Sequence, residues 1–109
     1  MRAALLFGLL LPLSTVIQAA TADPLVDKGQ AIVKSHCSRC HAIGPTGESP
    51  DPESPPFRML SKKYPVQNFK KALAEGIIVG HEDQGMPPFA FSPSQIEAVI
   101  AYLRSVQAK

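Results

Sequence analysis

The sequence has no tryptophan and only seven aromatic side chains, five Phe and two Tyr, in 109 residues. A chain of this length forms one domain and buries a modest core, so a metal, a disulfide or a bound cofactor is expected to share the work of holding it together. With two cysteines in all, the disulfide-dense scaffolds of small secreted domains are excluded. Charge of either sign is also scarce: eleven basic and nine acidic side chains leave a net charge of +2. That balance carries no nucleic-acid footprint. No convincing run of alternating apolar and polar residues occurs, and no internal repeat. Sheet architectures and repeat arrays are thereby disfavoured.

What is present begins with an export pattern. Met1-Arg2 is a short positive start, and Ala3 to Leu13 is an apolar run broken only by Gly8 and Pro12. Polar residues follow, then Ala20-Thr21-Ala22 in the small-x-small arrangement that signal peptidase reads. Residues 1–22 are expected to be a cleaved signal peptide and residues 23–109 the mature domain, located in the periplasm; cleavage after Ala19 or Ala20 is the near alternative. An uncleaved anchor over Ala3 to Ala20 sits near the shortest span a bilayer needs. Pro12, Ser14, Thr15 and Gln18 weaken that reading. Loss of Arg2 leaves ten basic against nine acidic side chains in the mature chain. The basic ones crowd its middle as Lys34, Arg39, Arg58, Lys62, Lys63, Lys70 and Lys71, with Glu75, Glu82 and Asp83 just after.

The mature chain reads as all-α. Asp23-Pro24 is an N-cap followed by a proline at the first helical position. Leu25, Val26, Gly29, Ile32 and Val33 then mark one stripe of a helix running close to Cys37. Residues 42–56 hold Gly44, Pro45, Gly47, Pro50, Pro52, Pro55 and Pro56, and form an irregular loop. A short helical stretch is expected around Phe57 to Lys63, with Met59 in the core. Another helix starts at Pro65, carries Val66, Phe69 and Leu73, and stops at Gly76. Residues 77–91 are again loop. Ser92 with Gln95 forms a capping-box pattern, Pro93 opens the last helix, and Ile96, Val99, Ile100, Leu103 and Val106 line one face. Such long loops in so small a domain usually wrap something.

Cys37-Ser38-Arg39-Cys40-His41 is a C-x-x-C-H run, the pattern of covalent haem attachment. Two thiols three positions apart lie on one side of the chain, where each can add to one vinyl group of a haem edge. His41 follows at once, so its imidazole lands over the iron, and its other ring nitrogen then needs an acceptor. A thiol–disulfide oxidoreductase wants a βαβ setting that the sequence lacks. A structural zinc site wants four ligands, and only His36 and His81 are at hand to complete one. A plain disulfide across this short span is the third alternative. His36 reads as a surface residue.

The chain resembles the class I cytochrome c family over residues 24 to 106. Gly29-Gln30-Ala31-Ile32-Val33 leading into Cys37 is similar to that family's N-terminal helix, and Ala98-Val99-Ile100-Ala101-Tyr102-Leu103 to its C-terminal helix. The resemblance implies that these helices cross with Gly29 against Tyr102, and that long loops wrap one haem c with its iron. It departs from the family at Val33, where an aromatic is common, so a looser crossing is expected. Gly85-Met86-Pro87-Pro88-Phe89 sits where the family places its second axial ligand, which the resemblance assigns to Met86, with His81 the rival. Two prolines would stiffen that loop and lower the cost of holding a weak thioether on iron. The family's carbonyl acceptor for the histidine falls on Pro55 or Pro56, and Pro55 is preferred.

The implied function is carriage of single electrons between redox partner proteins by an exported, monomeric mono-haem cytochrome that is not an enzyme, with iron ligated by His41 and Met86 and haem attached at Cys37 and Cys40. The lysines suggest a face for an acidic partner, and membranes enter only through partners or an uncleaved anchor. An electron-transfer subunit of a dehydrogenase shares these features. If Met86 does not hold the iron, an open sixth position makes a ligand sensor or a weak peroxidase; against peroxidase chemistry, the sequence shows no distal His/Arg constellation, with His81 and Arg58 the only residues left open for one.

Overall fold

A computed structural model describes residues 3–17, 23–76 and 90–109 of the chain. Helix α1 spans Pro24–His36, a 3₁₀ helix spans Phe57–Lys62, a single 3₁₀ turn over Val66–Asn68 leads into α2 at Phe69–Glu75, and α3 spans Pro93–Val106. The protein is all-α, and no strand occurs among the described residues. Residues 3–17 adopt neither helix nor strand. No helix among the described residues is long and apolar enough to cross a membrane.

The helix ends follow the local chemistry. The Asp23 carboxylate accepts from the Leu25 N–H at 2.9 Å, and Pro24 takes the first helical position, where a missing N–H costs nothing. The capping box of α3 is complete: the Ser92 hydroxyl accepts from the Gln95 N–H at 3.3 Å, and the Gln95 carboxamide oxygen accepts from the Ser92 N–H at 2.9 Å. Gly76 ends α2 with φ of +81°, a conformation that side chains with a Cβ rarely adopt. The start of α2 differs from the expectation of one helix from Pro65. The Asn68 side chain caps nothing, and the Asn68 N–H bonds instead to the Pro65 carbonyl at 2.9 Å. The opening turn is therefore the tighter 3₁₀ form, and regular α geometry begins only at Phe69.

Helices α1 and α3 cross at Gly29. A Cβ placed there would lie 2.0 Å from the Ala98 carbonyl oxygen and 2.8 Å from the Tyr102 Cβ. Ala98 itself is fully buried. Glycine is thus required by the approach of a neighbouring backbone. The looser crossing expected from Val33 is not observed: Val33 is 1% exposed, and Gly29 and Ala98 already set the distance between the helices. Ile96, Val99, Ile100, Leu103 and Val106 of α3 meet Phe57, Val66 and Leu73 in the same core. Each such side chain contributes about 1.5–3 kcal/mol on burial. The crossing fixes the end of α1, and the C-x-x-C-H run continues from there.

Gly29→Ala tests this directly. The clashing atoms belong to backbone and to the first carbon of a side chain, which have no rotamer to escape into. A loss of about 2–3 kcal/mol or more is expected in denaturant unfolding; a change under about 0.5 kcal/mol, the size of an ordinary surface substitution, would contradict the close crossing.

Candidate functional site

Beyond α1 the chain makes one further turn. The Cys37 N–H closes the helix on the Val33 carbonyl at 2.8 Å, and the Cys40 and His41 N–H groups both return to the Cys37 carbonyl, at 3.3 and 3.0 Å. Cys37 and His41 are buried, and Cys40 is half-buried. Burial pushes the Cys37 thiol up to about 11, because an apolar surrounding penalises the thiolate.

The His41 ring is held from two sides. Its Nδ1 lies 2.8 Å from the Pro55 carbonyl oxygen. A carbonyl only accepts, so Nδ1 carries the proton and the lone pair resides on Nε2. The Phe57 ring packs over the imidazole with centroids 4.7 Å apart and planes at 38°. Of the two prolines considered from the sequence, Pro55 is the one whose carbonyl meets His41.

The loop that brings Pro55 there is knotted by its own polar groups. The Asp51 N–H bonds back to the Cys40 carbonyl at 3.1 Å. The Asp51 carboxylate accepts from the Glu53 N–H and from the buried Ser54 hydroxyl, each at 3.0 Å. The Ser49 hydroxyl accepts from the Ala42 N–H at 3.0 Å, and the Phe57 N–H reaches the Ala42 carbonyl at 2.9 Å. Two outer ties complete the strap: the Tyr102 hydroxyl donates to the Ile43 carbonyl at 2.6 Å, and Arg58 donates to the Gly47 carbonyl at 2.7 Å. At Gly47 the backbone turns with φ of +94°.

Against this strap lies a cavity of about 370 Å³. Its wall is mainly apolar, with Val33, Phe57, Leu60, Leu73, Val99 and Leu103 beside Cys37 and His41; Pro55, Met59 and Tyr64 also line it, and Glu53, Ser54 and Lys63 are its polar members. Met59 is not in the core as expected from the sequence. It lines this cavity and is 37% exposed. Cys37, His41 and Pro55 come together on the wall, while Cys40 occupies the same turn without lining it. Met86 and His81 lie outside the described residues. His36 is exposed, as expected, with its ring edge-on to Phe91 at 5.4 Å. Among the described residues no cluster of three or more His, Cys, Asp or Glu side chains is placed to hold a metal ion unaided.

A planar macrocycle with an iron centre fits this donor set. The wall is mainly apolar, the imidazole is buried in the tautomer that leaves Nε2 as the donor atom, and a thiol stands one turn away. The seven basic residues of the middle segment do not form one free cluster: Arg58 is committed to Gly47, and Lys70 approaches Glu97 at 3.5 Å. Gln107 escaped the sequence reading. Its carboxamide binds Phe57 and Ser61, 50 and 46 residues away, and nothing local to Gln107 signals such partners.

Tyr102→Phe leaves the core packing intact and removes the tie to Ile43. A loss of about 1 kcal/mol in unfolding free energy is expected, since the Ile43 carbonyl is deprived of its donor. An unchanged stability would show that the strap does not depend on this bond.

The family model of cytochrome c matches residues 26–107. No curated protein and no solved structure gives a significant match. The matched span opens in α1, passes through the C-x-x-C-H turn and the strap, and ends one residue past α3. The chain belongs to the cytochrome c family, the electron-transfer proteins that carry covalently bound haem c.

Proposed function

We propose that residues 1–22 direct export and are removed, and that residues 23–109 act in the periplasm as a monomeric carrier of single electrons between redox partner proteins, with no reaction catalysed at its own iron. The observation that carries this reading is the buried His41, tautomerically set by the Pro55 carbonyl, on a C-x-x-C-H turn beside an apolar cavity. Cys37 and Cys40 would carry the thioether bonds, and the Nε2 of His41 and the sulfur of Met86 would hold the iron. When bound, the haem supplies an iron that cycles between ferrous and ferric states and so takes or gives one electron at a time.

The chain's own residues determine how that electron is held. With Met86 and His41 both holding the iron, no position would be left at which a substrate could reach the metal. A Met/His ligand pair favours a high reduction potential. The apolar wall of Val33, Leu73, Val99 and Leu103 acts in the same direction by disfavouring the extra ferric charge, whereas the Pro55 carbonyl opposes it by making the imidazole more basic. Lys34, Arg39, Lys62, Lys63 and Lys71 are exposed and complement an acidic partner, which speeds encounter more than it tightens binding.

Met86→Ala tests the closed iron site. The ferric wild-type protein is expected to show the long-wavelength methionine–iron charge-transfer band, and its ferrous form to leave carbon monoxide unbound. The variant is expected to lose the band, to bind carbon monoxide and to have a lower reduction potential. Survival of the band in the variant would remove Met86 as ligand. A wild-type protein that lacks the band and binds carbon monoxide would instead indicate an open-site sensor or peroxidase.

A further inference from the structure

Helix α3 ends at Val106, and the next residue leaves it in extended conformation, with φ of −59° and ψ of 133°. The Gln107 side chain then turns back over the 3₁₀ helix. Its Nε2 donates to the carbonyls of Leu103 and Phe57, each at 2.7 Å, and its Oε1 accepts from the Ser61 N–H at 2.8 Å. The Ala108 N–H adds a bond to the Arg58 carbonyl at 2.8 Å. The segment 57–61 is therefore joined to the end of α3 at three backbone groups. A 3₁₀ helix has poorer hydrogen-bond geometry than an α-helix and gains most from such outside ties.

This segment is the platform beneath His41. The Phe57 ring packs on the imidazole at 4.7 Å, and the Phe57 N–H holds the Ala42 carbonyl, next to His41 in sequence. Two residues before Phe57 stands the carbonyl that takes the His41 Nδ1 proton. Gln107 thus reaches the imidazole through one bonded carbonyl and a short stretch of proline backbone, whose fixed φ angles transmit a displacement and absorb little of it.

We propose that Gln107 is a positioning residue for the axial imidazole: by clamping Phe57 and Ser61 it holds the Pro55 carbonyl at bonding distance from His41 and so tunes the reduction potential of the iron. This rests on the reading of His41 as the iron ligand. A strong bond from Nδ1–H to the carbonyl raises the electron density at Nε2, which stabilises the ferric state. Without the clamp the bond lengthens, the imidazole becomes a weaker donor, and the ferrous state gains.

The test uses the exported, haem-loaded protein. Gln107→Met keeps the length of the side chain and removes all its hydrogen bonds. Ser92→Ala serves as control, since it removes the cap at the opposite end of the same helix and leaves residues 57–61 untouched. Two quantities are read: the chemical shift of the axial histidine Nδ1 proton in the ferrous protein, and the ferrous-to-ferric ratio against a mediator held at fixed potential. Gln107→Met is expected to move the proton upfield and to raise the ratio several-fold. Ser92→Ala is expected to lower unfolding stability and to leave both at wild-type values. Should Gln107→Met fail to mature, Gln107→Leu loses the same hydrogen bonds without adding charge and has the same expected direction. Wild-type values of both quantities in the Gln107 variant, or equal shifts in the control, would overturn the proposal. A wild-type protein without any axial histidine proton would overturn the assignment of His41, and this proposal with it.

Discussion

The hydrogen bond from His41 Nδ1 to the Pro55 carbonyl is the contact on which the rest of this structure depends. It is a short tie, 2.8 Å, across 14 residues of sequence. It settles which ring nitrogen keeps its lone pair, it orients the ring plane, and it closes the strap of residues 42–56 over the end of α1. Almost every other polar contact of the loop serves it. Asp51 folds the chain ahead of Pro55, Phe57 anchors the chain behind it, and Tyr102 ties the base of the strap to α3. The apolar core has a complementary task. Gly29 and Ala98 bring α1 and α3 into backbone contact, so the turn that carries Cys37, Cys40 and His41 starts from a rigid place.

The design is that of a small domain with little core to spare. Among the described residues twelve hydrophobic side chains are buried, and six of them, Val33, Cys37, Phe57, Leu73, Val99 and Leu103, also face the cavity. The cavity leaves those six without packing partners on one side, so the family's covalent haem, in filling it, becomes a part of the hydrophobic core as well as the redox centre. Covalent attachment suits this arrangement, since a cofactor that shares the core cannot dissociate without exposing it. The Cys37 thiol, pushed up by burial, belongs to the same apolar surface.

Much of this was legible in the sequence where the signals are local. The Asp23 cap, the Ser92–Gln95 box and the glycine at the end of α2 each involve neighbours within a few residues, and each helix end lies where they point. The glycine–tyrosine crossing came from resemblance to a family, because spacing alone does not reveal which helices touch. The C-x-x-C-H run carried the chemistry. Long-range ties left no trace: the Gln107 carboxamide, the Tyr102 hydroxyl on Ile43 and the Arg58 bond to Gly47 join groups whose types are common on any surface. Met59 was misplaced for the same reason, as an apolar residue in a short helix is equally at home in a core or at a cavity wall. Asp51 is the instructive case. An aspartate between prolines suggests a turn, but its bonds to Glu53 and Ser54 and its backbone tie to Cys40 emerge only in three dimensions.

The central claim is that an iron porphyrin is a covalent part of this chain, and intact mass after denaturation and acid extraction tests it most directly. The purified protein is expected to retain its colour through that treatment and to exceed the mass of the bare polypeptide by one haem. A colourless protein at the bare mass that is nonetheless folded before denaturation would contradict the account.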